Sequence, residues 1–129
     1  MRMSDSRQRV LVVEDSATMR GFVTATLESG GPFTVTQAES GFHALKILPR
    51  GRYDLIITDI NMPDINGLEL VRFIRDSEQH KTTPLLIIST DGREADRDRG
   101  LKLGANGYLT KPFEPQQLLD IVRGLLHLG

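Results

Sequence analysis

The stretch Leu55-Ile56-Ile57-Thr58-Asp59-Ile60-Asn61-Met62-Pro63-Asp64-Ile65-Asn66-Gly67 decides the fold. It opens on an apolar run without alternation and halts at a carboxylate. Such a run suits a short strand buried on both faces of a parallel sheet. The residues after Asp59 are turn formers: Pro63 fixes one φ, and Gly67 tolerates positive φ. An acid at the C-terminal end of a buried strand lies where open α/β sheets bind ligands. The same acid could also do no more than cap a loop or the next helix.

Working outward, the pattern recurs. Val10-Leu11-Val12-Val13 is a second continuous run, and it ends in Glu14 and Asp15. Leu85-Leu86-Ile87-Ile88 is a third, ending in Ser89-Thr90-Asp91-Gly92. Residues 33–38 alternate weakly and predict a strand near a sheet edge. Tyr108-Leu109-Thr110 predicts a short last strand, followed by Lys111-Pro112-Phe113. Helical spacing fills the intervals. Met19, Phe22, Val23 and Leu27 share one face, as do Phe42, Leu45 and Leu48, and then Leu68, Leu70, Val71, Phe73 and Ile74. Residues 93–103 carry only Ala95, Leu101 and Leu103, the weakest of these patterns and the expected most mobile helix. Leu118, Leu119, Val122, Leu125 and Leu126 form the last stripe, opened by Glu114-Pro115. Ser16 or Asp15 and then Ser40 stand where helix caps belong. Strand and helix alternate five times, so the predicted class is α/β, a doubly wound five-stranded parallel sheet with helices on both faces.

Composition narrows the function. The chain has 129 residues, the size of one domain, and no cysteine, which excludes disulfides and thiolate metal sites. Its formal net charge is -1 with no basic block, so nucleic-acid binding has no electrostatic support. No apolar run approaches the roughly 20 residues that cross a bilayer. The charged N-terminus is not a signal peptide, and the reading is a soluble, cytoplasmic protein without membrane partners. Residues 1–9 are expected to be a flexible arm and 10–127 the domain, with no effector domain after it.

In a parallel sheet every strand C-terminus points to the same edge. Glu14, Asp15, Asp59, Ser89 and Lys111 all follow strands and should gather there. Three carboxylates together repel, and one pKa rises unless a cation compensates. Carboxylates plus a backbone carbonyl suit a hard divalent ion, Mg2+ above others. A carboxylate nucleophile, a metal, a hydroxyl and an ammonium together describe a phosphoryl-accepting site.

On these residues the chain resembles the response-regulator receiver domain, the CheY-like module of two-component signalling. The resemblance rests on Val12-Val13-Glu14-Asp15-Ser16, Thr58-Asp59-Ile60-Asn61-Met62-Pro63, Ser89, and Tyr108-Leu109-Thr110-Lys111-Pro112-Phe113 in that order. It implies a CheY-like, flavodoxin-like sheet. It implies that Asp59 takes a phosphoryl group from a phosphohistidine on a sensor histidine kinase or histidine phosphotransfer protein. Glu14, Asp15 and Asp59 would bind Mg2+ with the carbonyl of Asn61, Ser89 would hydrogen-bond the phosphoryl oxygens, and Lys111 would pair with them. It further implies a cis Lys111-Pro112 bond, and a switch in which Tyr108 turns inward as Ser89 moves. Two positions depart from the common pattern. Glu14 stands where many members have Asp, and Thr90 stands where Ala or Gly is usual, beside the phosphoryl pocket.

Output would come from docking a downstream target protein. The segment Asp15-Ser16-Ala17-Thr18-Met19-Arg20 is similar to chemotaxis members of the family. The alternative within the family is a phosphorelay intermediate or phosphate sink. A magnesium-dependent aspartyl phosphatase of the haloacid dehalogenase kind needs a second Asp two residues after the first, where this chain has Asn61. A flavin binder needs a hydroxyl- and glycine-rich loop where it has Glu14-Asp15. His43, His80 and His127 match no metal-ligand spacing and read as surface residues.

Overall fold

The computed structural model describes residues 7–90 and 94–127. Positions 1–6 of the arm expected at 1–9, and Arg93 of the helix expected at 93–103, lie outside them; Gln8 and Arg9 are part of a strand and not of an arm. The order is β1 (Gln8–Val13), α1 (Ala17–Gly30), β2 (Phe33–Ala38), α2 (Gly41–Ile47), β3 (Leu55–Asp59), α3 (Gly67–Asp76), β4 (Leu85–Ser89), α4 (Glu94–Leu103), β5 (Gly107–Thr110) and α5 (Pro115–Leu125). The five strands form one parallel sheet ordered β2-β1-β3-β4-β5. The weakly alternating β2 is at an edge, as its pattern predicts.

Every residue of β3 and β4 is buried. This follows from helices covering both faces, which leaves no solvated side to alternate towards. Successive side chains then divide between two cores. Leu11, Val13, Ile56, Leu85 and Ile87 pack with Ala44, Leu70, Val71 and Ile74 on the α2–α3 side. Val10, Val12, Leu55, Ile57, Leu86 and Ile88 pack with Val23, Leu27, Leu118 and Val122 on the α1–α5 side. β1 begins two residues before its apolar run because Gln8 and Arg9 pair with Phe33 and Thr34.

The helices start on side-chain caps. Ser16 Oγ accepts from Met19 N at 3.2 Å, Ser40 Oγ from His43 N at 3.1 Å, and Asn66 Oδ1 from Leu68 N at 2.7 Å. Each satisfies an amide that the helix cannot. At α5 the Glu114 amide donates to Gln117 Oε1 at 2.7 Å, and Pro115 fills the first helical position.

Three residues depart from the sequence pattern. Phe42 is not part of the α2 stripe; it is 57% exposed, and Gly41, Ala44 and Leu48 face inward instead. The inward face is small because α2 sits hard on the loop after β3: a Cβ on Gly41 would run into the Ile65 side chain. His80 is not a surface residue; it is 2% exposed. Burial is tolerated because both ring nitrogens are matched. Nε2 lies 3.1 Å from the Leu48 carbonyl, and Nδ1 lies 3.3 Å from Thr83 Oγ1. Gly67 does not use positive φ; among the described glycines only Gly104 does, at 121°. Its requirement is room, since a Cβ there would overlap the Asp59 carbonyl and come within 2.6 Å of Ile60 Cα. α4 agrees with its weak pattern: Gly100 is buried, Leu103 half-buried, and Ala95 and Leu101 exposed.

Two glycine substitutions separate these causes. Gly67→Ala forces backbone against backbone beneath Asp59 and is expected to lower the unfolding free energy by about 1–3 kcal/mol. Gly21→Ala in α1 meets nothing within 4 Å. It is expected to raise the unfolding free energy by about 0.5–1 kcal/mol through helix propensity. Urea unfolding of the two variants measures both, and a stabilising Gly67→Ala contradicts the packing account.

Candidate functional site

The sheet register aligns the chemistry. Val13 pairs with Ala38 and Thr58, Asp59 with Ile88, and Ser89 with Thr110. Glu14, Asp59, Ser89 and Lys111 therefore end four strands at one edge. The pairing runs on past the strands, with Glu14 N donating to Ala38 O at 3.0 Å and Lys111 N to Ser89 O at 2.7 Å.

At the centre is one ammonium between two carboxylates. Lys111 Nζ lies 2.8 Å from Glu14 Oε1 and 3.0 Å from Asp59 Oδ2, with side-chain exposures of 11%, 1% and 6% for Lys111, Glu14 and Asp59. The remaining oxygens are held by backbone: Ser16 N donates to Glu14 Oε2 at 3.0 Å, and Asn61 N to Asp59 Oδ1 at 3.2 Å. Asp15 stands beside them, exposed, and carboxylate oxygens of Glu14, Asp15 and Asp59 lie within 4.8 Å of one another. Three carboxylates thus face one ammonium. Burial raises the Glu14 pKa above the usual 4.5, with Asp59 adding to the rise and Lys111 and the Ser16 amide opposing it. Burial alone would lower the Lys111 pKa. The hydrogen bonds and charges of Glu14 and Asp59 outweigh it and hold the ammonium above its usual 10.5.

The expected residues take different places. Glu14, Asp15, Asp59 and Lys111 converge. Asn61 is tied to the cluster by its amide and is otherwise exposed. Ser89 is fully buried at the end of β4, and Thr90 is exposed just beyond it. Tyr108 lies on β5 opposite Ile87, half-buried against the α2–α3 core. The Lys111–Pro112 bond is cis, as the resemblance implies. Among the described residues, the acid trio alone forms a group able to hold a metal, and no histidine joins it.

Two residues that spacing does not single out support the loops. Arg20 Nη1 donates to the Glu14 carbonyl at 2.8 Å and Nε to Gln37 Oε1 at 3.1 Å, fastening the acid pair to the end of β2. Asp64 accepts from the amides of Gly41 at 3.3 Å and Phe42 at 2.9 Å. Partners this remote along the chain leave no local signal.

With the sheet and its acidic edge defined, relatives can be compared. The profile of the response regulator receiver domain matches residues 10–123. The chain belongs to the response regulator receiver domain family. It is 38% identical over 122 residues to a chemotaxis protein CheY homolog of Campylobacter jejuni, covering 94% of each chain. Its structure superposes on the chemotaxis response regulator CheY4 of Vibrio cholerae with a TM-score of 0.88 at 37% identity, covering 93% of this chain and 99% of that one. The receiver domain of the Pseudomonas aeruginosa sensor histidine kinase PA1611 matches with a TM-score of 0.85 at 31% identity, covering 94% and 98%. That structure has a magnesium ion coordinated in its active site cleft. Among the described residues, no helix of this chain is long and apolar enough to cross a membrane.

A raised carboxyl pKa in the folded state means that folding binds a proton. That stabilisation is complete below about pH 4.5, the value for an unfolded glutamate, and is lost as pH rises through the folded value. Urea unfolding in chelator over a pH series starting near 4.5 is expected to show a falling stability. Glu14→Gln should flatten it, and an unchanged slope in that variant contradicts the assignment.

Proposed function

We propose that Asp59 is the phosphoryl acceptor of this receiver domain. The observation that carries the reading is the buried Lys111 ammonium shared between Glu14 and Asp59 inside an acidic cluster. Asp59 presents a carboxylate whose orientation is fixed from two sides, by the Asn61 amide and by Lys111. Such a group is a preorganised oxygen nucleophile. Its oxygen forms the new bond to phosphorus as the phosphorus–nitrogen bond to a donor imidazole breaks, and the electron pair leaves with the imidazole. Lys111 faces the negative charge that develops on the equatorial oxygens, and the Ser89 hydroxyl donates to one of them. Donors of this kind contribute by being in place before the charge arrives.

The donor set fits magnesium: oxygen atoms only, net negative, on strand ends that hold them within a few ångströms. Glu14, Asp15 and Asp59, with the carbonyl of Asn61, would hold the ion. When bound, it neutralises charge on the transferring group.

The partner is a sensor histidine kinase or a histidine phosphotransfer protein in the cytoplasm, and the output is docking of a target protein by the unit spanning 10–127. The likeness to chemotaxis proteins supports a role in motility over a phosphate sink. Thr90, Tyr108 and α4 form the switch, which the movement of Ser89 toward the phosphoryl group sets; reversing its population from 1:99 to 99:1 takes about 5.5 kcal/mol of preference.

Incubation with acetyl phosphate and Mg2+, followed by intact-mass measurement, tests the acceptor. The chain is expected to gain one phosphoryl group, and Asp59→Asn or added chelator should abolish the gain. A phosphorylated Asp59→Asn chain contradicts the assignment. Thr90, whose extra atoms lie beside Ser89, restricts access to the pocket. Thr90→Ala is expected to speed phosphorylation, dephosphorylation or both, and unchanged rates in both directions remove that role.

A further inference from the structure

We propose that Asp64 is a positioning residue for metal binding: its carboxylate ties the loop carrying Asn61 to the first turn of α2. The inference rests on the magnesium site proposed above.

The loop at 60–66 is held at its inner end by two bonds. The Asn61 amide reaches Asp59 Oδ1, and the Gly67 amide reaches the Ile60 carbonyl at 2.8 Å. Asn61 and Pro63 are exposed, while Met62 between them is buried in the α2–α3 core. Asp64 supplies the outer anchor. Oδ1 takes the amide of Gly41 and Oδ2 that of Phe42, while the Ile65 side chain presses on Gly41. The backbone bonds hold the Asp64 carboxyl below its usual 3.8, so it is ionised wherever the domain is folded near neutral pH.

This anchor differs from an ordinary helix cap. Ser40 already caps α2, its hydroxyl accepting from His43 N and its carbonyl from Ala44 N at 3.0 Å. The Ala44 bond is the first of the helix itself; of the amides before it, Ser40 takes that of His43, and Asp64, from a loop 22 residues beyond Phe42, takes those of Gly41 and Phe42. The helix gains two hydrogen bonds, and the loop gains a fixed end. Asn61 lies three residues from that end, and its carbonyl must be aimed before the ion arrives. A loop loosened at Asp64 keeps its inner bonds and the buried Met62 but loses its tie to α2, so part of the aim of the Asn61 carbonyl must be fixed on binding, which weakens binding without touching a ligand.

Calorimetric titration with Mg2+ on the full chain, paired with urea unfolding in chelator, tests the assignment in four proteins. The unmodified chain should bind one ion; failure to bind overturns the magnesium site itself and is thereby distinguished from failure of the tether. Asp64→Ala is expected to weaken Mg2+ binding about tenfold, the usual scale for a group that orients a ligand. Ser40→Ala removes the other α2 cap. It should lower stability while leaving Mg2+ affinity unchanged. Asp64→Asn loses the charge but keeps one acceptor oxygen for the Phe42 amide, so its affinity should fall between those of the unmodified chain and Asp64→Ala. Unmodified affinity in Asp64→Ala overturns the proposal. So does equal weakening by Ser40→Ala, which assigns the effect to α2 stability. Equal weakening by Asp64→Asn and Asp64→Ala also overturns it, by assigning the effect to charge alone.

Discussion

A single ammonium group makes this edge of the sheet possible. Glu14 and Asp59 are two carboxylates removed almost entirely from water, and they face each other across neighbouring strands. Without Lys111 each would be desolvated beside a like charge, an arrangement that costs stability unless one of the two takes up a proton. With it, every carboxylate oxygen of the pair has a donor. The compensation is incomplete, because Asp15 adds a third negative charge close by. Among the described residues, three carboxylates and one ammonium therefore meet where four strand ends converge.

The sheet supplies the convergence by geometry alone. Parallel strands end at one edge, and the order β2-β1-β3-β4-β5 puts β1, β3, β4 and β5 side by side. Two apolar cores, one on each face, hold the register that keeps Asp59 level with Ile88 and Ser89 level with Thr110. A slip of one residue along β3 would turn Asp59 to the other face and dissolve the site. Gly67 lets α3 begin directly beneath the Asp59 carbonyl, and Arg20 and Asp64 hold the loops from outside. The scaffold thus carries the acids, while α4 has Gly100 buried and Ala95 and Leu101 exposed.

Most of this was legible in the sequence because its strongest signals are local. Three unbroken apolar runs, each ending in an acid or a hydroxyl, specify buried parallel strands and the residues at their tips. What was not legible depends on distant partners. Phe42 matches a helical stripe with Leu45 and Leu48, but the approach of Ile65 to Gly41 rotates α2 and turns the ring outward. His80 follows a polar stretch and reads as surface, yet the Leu48 carbonyl, 32 residues earlier, gives its ring a buried partner. Gly67 is recognisable as a required glycine, but its reason, contact with Ile60 and Asp59 and not positive φ, emerges only when the strand end and helix start are brought together.

The central claim is that one divalent ion satisfies the excess charge left by Lys111. A crystal structure grown with Mg2+ tests it most directly. The expected result is a single ion touching the carboxylates of Glu14, Asp15 and Asp59, with Lys111 still within hydrogen-bonding distance of Asp59. An ion bound elsewhere on the chain, or an acid cluster holding none at saturating Mg2+, contradicts it.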